Sequence, residues 1–383
     1  MRTEQTYWTP ETGWFPHPPG DKLPAPDLAL VFWSLTKEHL DRATASLCAY
    51  LPRAIIAGCS TAGEILGAEV RDGHLVCTTV SFSGSCCQRV DIELTDPAAS
   101  RSAGAELAKA LPAAGLRHVL VFSDGLRVNG TELVDGMQSA LPEGVGLTGG
   151  LAADGELFSS TAVWTGGGPR SNGIAAVGLY GKHLRIGCGS FGGWDPFGPE
   201  RLITHARGNK LFSLDGYSAL SLYKKYLGEY VSDLPASALL FPLSIRPPAG
   251  GEDLVRTVLS IDEQEQSMTF AGDVPEGHLA RFMKCNMDRL IDGAAAAAAV
   301  CCPRGAMHQN PGLALLVSCV GRRMVLRQRI EEELESVRDI LGDRTTLTGF
   351  YSYGEISPLA MPGHCELRNQ TMTITTIDEI PDA

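Results

Sequence analysis

The sequence predicts a mixed α/β fold: repeated β-α-β-β units form mixed sheets flanked by helices, in two tightly associated regions. Three recurring features predict it. Short runs of Leu and β-branched residues read as buried strands, and each is followed by a stretch of helical period. A second apolar run then ends at a glycine that opens a small-residue turn. The first copy runs from LALVFWS at Leu28 to AIIAGCSTAGEILG at Ala54, and the last from LALLVSC at Leu313 to TLTGFYSYGEISP at Thr346. Their alignment puts Gly58 on Gly349, Gly63 on Gly354, Glu64 on Glu355 and Ile65 on Ile356. A weaker copy lies between them, HVLVFSDG from His118 and VGLTGGLAADGEL from Val145.

Each element has a local cause. The clearest helix is RIEEELESVRDIL, where Ile330, Leu334, Val337 and Leu341 share one face. Its acidic run Glu331–Glu333 sits in the first turns, where the helix dipole favours negative charge. Alternating stretches after the turns, LVCTTVSF, TAVWTGG and TMTITTI, read as further strands, as do NGIAAVGLYG and HLRIGCGSFGG. The Pro/Gly turn GWDPFGP separates the regions. Beyond it Leu211–Leu214 reads as a strand, Asp215-Gly216 as a turn and Tyr217–Tyr226 as a helix stopped by Gly228. The predicted division is an extension over residues 1–27, a first domain over 28–198 and a second over 199–383.

Composition bounds the function. With 383 residues, 44% hydrophobic and 20% charged, the chain is globular and long enough for more than one core. A net charge of −12 without a basic stripe argues against nucleic acid or an anionic membrane as partner. The eleven cysteines contain no C-x-x-C pair, and the N-terminal stretch has no apolar signal core, so free thiols in the cytoplasm are expected. Ala294–Val300 is far too short to span a membrane.

Candidate ligand contacts cluster at the strand ends. Glycine after a strand lets the backbone turn sharply or approach a ligand. The first turn contributes Cys59, Ser60, Thr61, Gly63 and Glu64, the middle copy Gly149, Gly150 and Asp154, and the last Tyr351, Tyr353, Gly354 and Glu355. Each glutamate either faces a pocket or accepts hydrogen bonds within its own turn. Arg322, after the glycine of SCVGRR, either clamps a carboxylate ligand or pairs with a glutamate of the acidic helix. Asn369 and Thr371 of RNQTMT are expected beside the Tyr353 turn. Catalytic motifs fail on inspection. Ala62 stands where a nucleophile elbow needs glycine, so a hydrolase or transferase using Cys59 or Ser60 is the lesser alternative. Gly187–Gly192 fits G-x-G-x-x-G, but Pro196 and Pro199 forbid the helix that would receive a pyrophosphate. The histidines, His308 among them, show no metal-ligand spacing. His183 and His205 flank Phe191, Trp194 and Phe197, residues able to wall a porphyrin.

AGCSTAGEI, LTGGLAADGE and NGIAAVGLYG resemble the N-terminal FIST region. ITHARGNKLFSLDG, the VPEGH turn at Val274–His278, SCVGRR, EEEL and LTGFYSYGEISP followed by RNQT resemble the C-terminal FIST region. The resemblance covers nearly all the chain after about residue 25. It implies a sensory protein, not an enzyme, that binds small ligands, often amino acids, in bacterial signal transduction. It also implies a stand-alone subset that binds haem, senses nitric oxide and works with histidine kinases or cyclic-di-GMP enzymes. His205 departs from the Lys, Arg or Ser expected of the family, which marks it with His183 as a haem-ligand expectation.

Overall fold

The computed structural model describes residues 1–234, 236–251, 253–302, 311–358 and 363–380. His308 lies outside them. The fold is mixed α and β, and the three copies read in the sequence are three structurally equivalent units.

In each unit a buried first strand is followed by a helix and a parallel second strand. These are Leu28–Trp33 and Ile55–Ser60, Leu116–Ser123 and Gly146–Leu151, and Leu313–Cys319 and Thr346–Ser352. An antiparallel return strand then lies on the other side of the first: Leu75–Ser81, Gly173–Tyr180 and Met372–Glu379. A leading strand, Arg2–Thr9, Cys86–Glu93 or Leu184–Phe191, closes each sheet against its return strand.

One glycine marks the equivalence. Gly58, Gly149 and Gly349 pair with Val31, Val121 and Leu316 and have φ of 151°, 151° and 156°. A Cβ at any of them would sit 1.8 Å from the carbonyl oxygen of its partner. Only glycine permits this backbone and this approach. The middle copy, weakest in sequence, is geometrically a full member.

The short strand after each turn leaves its own unit. Glu64–Leu66 of unit one pairs with the second strand of unit three, Ile65 opposite Gly349. Gly354–Ser357 of unit three pairs with the second strand of unit two, Ile356 opposite Gly149. Val163–Thr165 of unit two pairs with unit one, Val163 opposite Cys59. The exchange closes a ring, so no unit completes its sheet alone. At its centre Phe32, Phe122 and Phe350 pack together, with ring centroids 4.8 to 6.1 Å apart.

Unit three carries an insertion. Residues 195–284 form a subdomain around their own core of Ile203, Leu211, Leu220, Tyr223, Phe270 and Phe282. Its first and last residues, Asp195 and Lys284, are paired across strands Asp195–Arg207 and Leu279–Lys284. The alanine-rich helix Met287–Cys301 then packs on the leading strand Leu184–Phe191. A Cβ at Gly187 would meet Cys301 O at 2.2 Å, and one at Gly189 would meet Ala297 O at 2.3 Å. The glycines of the G-x-G-x-x-G stretch therefore serve helix-on-strand contact.

Candidate functional site

The loops beyond the two parallel strands of each unit share one device. The carboxyl of Glu64 accepts from Thr61 Oγ1 at 2.5 Å and Ser34 Oγ at 3.2 Å, and from the backbone of His74 at the start of the return strand. Glu355 accepts from Ser352 Oγ at 2.6 Å and from the amide and hydroxyl of Thr371 at 3.2 and 3.0 Å. In unit two Asp124 plays this part, accepting from Thr161 Oγ1 at 2.7 Å and from the amide of Asn172. Each carboxyl ties a turn to its return strand. Burial raises Glu64 to about 8, against the lowering effect of the Thr61 and Ser34 hydroxyls. Burial likewise raises Glu355 to about 8, against the Ser352 and Thr371 donors. Both glutamates are fully buried and serve their own turns, the second of the two roles open to them.

Arg322 also turns inward. It is fully buried, with Nη2 2.7 Å and Nε 3.1 Å from Glu333 Oε2. Its remaining donors reach the carbonyls of Gly192 and Leu290, on the two chain segments that join the inserted subdomain to the ring. The guanidinium pairs with the acidic helix and does not face a cleft. Glu333 departs from the solvent-facing acidic run, since it also accepts from Ser318 Oγ and Tyr351 Oη. Tyr351 is fully buried with it.

The Cys59 thiol is buried and pushed far up by desolvation, which removes it as a ready nucleophile. Ser60 Oγ accepts from Ala162 N at 3.0 Å. Gly63 O accepts from Tyr351 N, and a Cβ at Gly150 would meet Val317. These residues form the joint between units. Asn369 and Gln370 are fully buried, and neither amide has a hydrogen-bond partner among the described residues. Such groups call for ordered water or a polar ligand atom.

A largely apolar cavity lies elsewhere, where the inserted subdomain overhangs the carboxyl ends of the first strands of units two and three. It has a volume of about 390 Å³. The ring side presents Leu126, Val128, Leu151, Val320 and Tyr353, and the subdomain Thr257, Leu259, Phe270 and Asp273. Of the residues expected at the site, Tyr353 lines this cleft. Its hydroxyl bonds the carboxylate of Asp154 from unit two, and its ring stacks on Phe158 with centroids 4.4 Å apart. Asn129 caps the helix Gly130–Ala140 by accepting from Glu132 N at 3.2 Å, and its side chain also bonds Asp273. Burial holds the Asp273 carboxyl above its ordinary range, opposed by the nearby Arg256. Thr257 is 5% exposed and its Oγ1 has no partner among the described residues. Asn129 was not among the residues expected at the site, although an Asn just ahead of a helical stretch is a cap signal. The sequence carried no signal that Thr257 and Asp273 would fold back over the ring, because that placement depends on the insertion. A larger, more polar cavity adjoins through Leu239 and Val320 and contains Arg323, ion-paired to Asp72 at 2.5 Å.

The haem expectation does not fit these positions. His183 lies in the turn before Leu184, near Gly84, whereas the His205 ring stacks on Phe212 inside the inserted subdomain. Trp194 is buried and donates to Gln370 O, and Phe197 packs edge-on against Tyr226. The two histidines and three aromatics do not converge on one wall. Among the described residues no cluster of three or more His, Cys, Asp or Glu is placed to hold a metal ion, and no helix is long and apolar enough to cross a membrane.

The FIST N domain model matches residues 27–217 and the FIST C domain model residues 219–358. The chain belongs to the FIST family, whose domains are associated with small-ligand sensing in signal transduction. No curated protein matches it. Among solved structures, a cyanuric acid hydrolase from A. caulinodans aligns over 99% of both chains at 9% identity with a TM-score of 0.36, a likeness from which no activity is drawn.

Proposed function

We propose that this protein is a small-ligand sensor that binds its ligand between the inserted subdomain and the three-unit ring, and that it is not an enzyme. The observation that carries this reading is the cleft itself. It is enclosed by two bodies with separate cores, joined through paired linkers. It also lies beyond the carboxyl ends of strands, where sheets of this kind bind ligands. A ligand touching both bodies favours the closed arrangement by its difference in affinity between the two states, and only that difference transmits a signal. A histidine kinase or a cyclic-di-GMP enzyme in the cytoplasm is the partner class that would read the change. The buried Cys59 thiol and the hydrogen-bonded Ser60 hydroxyl support a non-catalytic role.

The test is thermal denaturation of the protein with pools of cellular metabolites, repeated on Leu126→Trp, which fills the cleft mouth from an exposed position. At least one pool raises the wild-type midpoint, and Leu126→Trp loses that rise. Stabilisation that persists unchanged in the variant would place the ligand outside the cleft.

A further inference from the structure

The cleft has a polar end and an apolar body, and their arrangement selects a class of ligand. Thr257 and Asp273 stand together on the subdomain side: Ala271 N donates to Thr257 O at 2.9 Å, and Arg256 Nε donates to Asp273 O at 3.2 Å. Thr257 lines the cavity, and its hydroxyl is buried without a partner among the described residues. A hydroxyl so placed is costly unless something in the cavity bonds it. The Asp273 carboxylate, on the same cavity wall, bonds the Asn129 cap at the amino end of the eleven-residue helix Gly130–Ala140, so the partial positive charge there already has its anion. A carboxylate or phosphate ligand would meet Asp273 and, further out, Glu132 and Asp135. Arg101 pairs with those last two, so Asp273 is the carboxylate left at the inner end, its charge partly offset by Arg256. Arg256, the nearby cation, spends donors on the carbonyls of Asp273 and Leu367. Arg127 lines only the exposed rim.

The remaining wall is apolar. Leu126 and Phe158 on the ring and Leu259 on the subdomain are 38%, 42% and 43% exposed, yet all three line the cavity, above the buried Val128, Leu151 and Phe270. Large apolar side chains left open around a concave site mark a surface awaiting an apolar partner. The cavity volume suits a single small molecule.

We infer that the cleft binds a small apolar amine, its ammonium group bonded by the Asp273 carboxylate and the Thr257 hydroxyl and its body held between Leu126, Phe158 and Leu259. This rests on the reading of the cleft as the sensing site and names the ligand class for it. Three probes with the same phenyl body separate the possibilities: 2-phenylethylamine, 3-phenylpropionate and phenylalanine. Calorimetric titration is made on the wild type and on Asp273→Asn, Thr257→Val and Leu126→Trp.

Phenylethylamine is expected to bind at least about ten-fold more tightly than either carboxylate-bearing probe. Asp273→Asn should remove that preference and Thr257→Val should weaken binding several-fold, with the circular dichroism of both variants unchanged. Equal or tighter binding of phenylpropionate or phenylalanine overturns the amine assignment, as does a preference that survives in Asp273→Asn. If phenylpropionate or phenylalanine is the better ligand and Leu126→Trp abolishes its binding, the cleft stands and only the ligand class falls. If none of the probes binds the wild type, the amine assignment falls and the metabolite pools decide the cleft; if binding ignores Leu126→Trp, both fall together.

Discussion

Arg322 and Glu333 are each fully buried, and between them they reach Ser318, Tyr351, Gly192 and Leu290. A buried ion pair gives little net stability over an apolar pair of the same shape, but removing one partner strands the other charge. Arg322→Ala should therefore cost about 3–5 kcal/mol in urea denaturation, and Glu333→Leu a similar amount. The double variant Arg322→Met with Glu333→Leu should cost clearly less than the two single changes together. A loss below about 1 kcal/mol for Arg322→Ala would show the charge reaching water in the folded state. At this scale the sequence was half legible. Gly-Arg after a strand left both a ligand clamp and a glutamate partner open, and Glu333 was read only as part of the acidic first turns. Only packing decides between them, because Glu333 lies three positions after Ile330 and four before the buried Val337, at the edge of the apolar stripe.

The exchanged strands and the carboxyls at their turns belong to the scale of elements. The sequence reads Glu64 and Glu355 as turn residues, whereas Glu64–Leu66 and Gly354–Ser357 are short strands, and three or four residues carry no information about which sheet receives them. The ring closure was therefore invisible in sequence, whereas the matched positions of Glu64 and Glu355 were visible and proved structurally equivalent. Both glutamates lie near 8 in the folded chain and near the ordinary carboxylate value when unfolded, so the folded state holds extra protons between those limits. Stability must fall as pH rises through that window, by up to about 1.4 kcal/mol per pH unit for each proton released, and level off above it. Buried His118, lowered to about 3 by desolvation, acts with the opposite sign but only below its ordinary value of 6.5. The clean interval is pH 6.5 to 8. Chemical denaturation across it should show stability declining in the wild type, and Glu64→Gln with Glu355→Gln should flatten the slope. An unchanged slope in that double variant would mean the two carboxyls are already ionised at pH 6.5.

Across the whole molecule, the chain combines a closed ring with a guest. The ring needs all three units, since each lends a strand to the next, but its sheets take no strand from residues 195–284. That segment pairs within itself, has a separate core and leaves the ring where it enters, with Asp195 opposite Lys284. Replacing residues 195–284 by a short Gly-containing turn is thus expected to leave a folded ring. Some stability will be lost, because Leu240, Val255 and Met283 cover Trp194, Val325 and Leu326. Burial of about 25 cal/mol per Å² makes that loss a few kcal/mol for three partly buried side chains. The excised chain should unfold in one cooperative transition at a lower midpoint, keep its mixed helix and strand signature, and bind none of the metabolites that stabilise the full protein, since half the cleft wall is gone. A ring that aggregates or loses cooperativity would mean the insertion supplies part of the core. Retained ligand binding would move the sensing site into the joints between units, where the Gly-Glu turns lie.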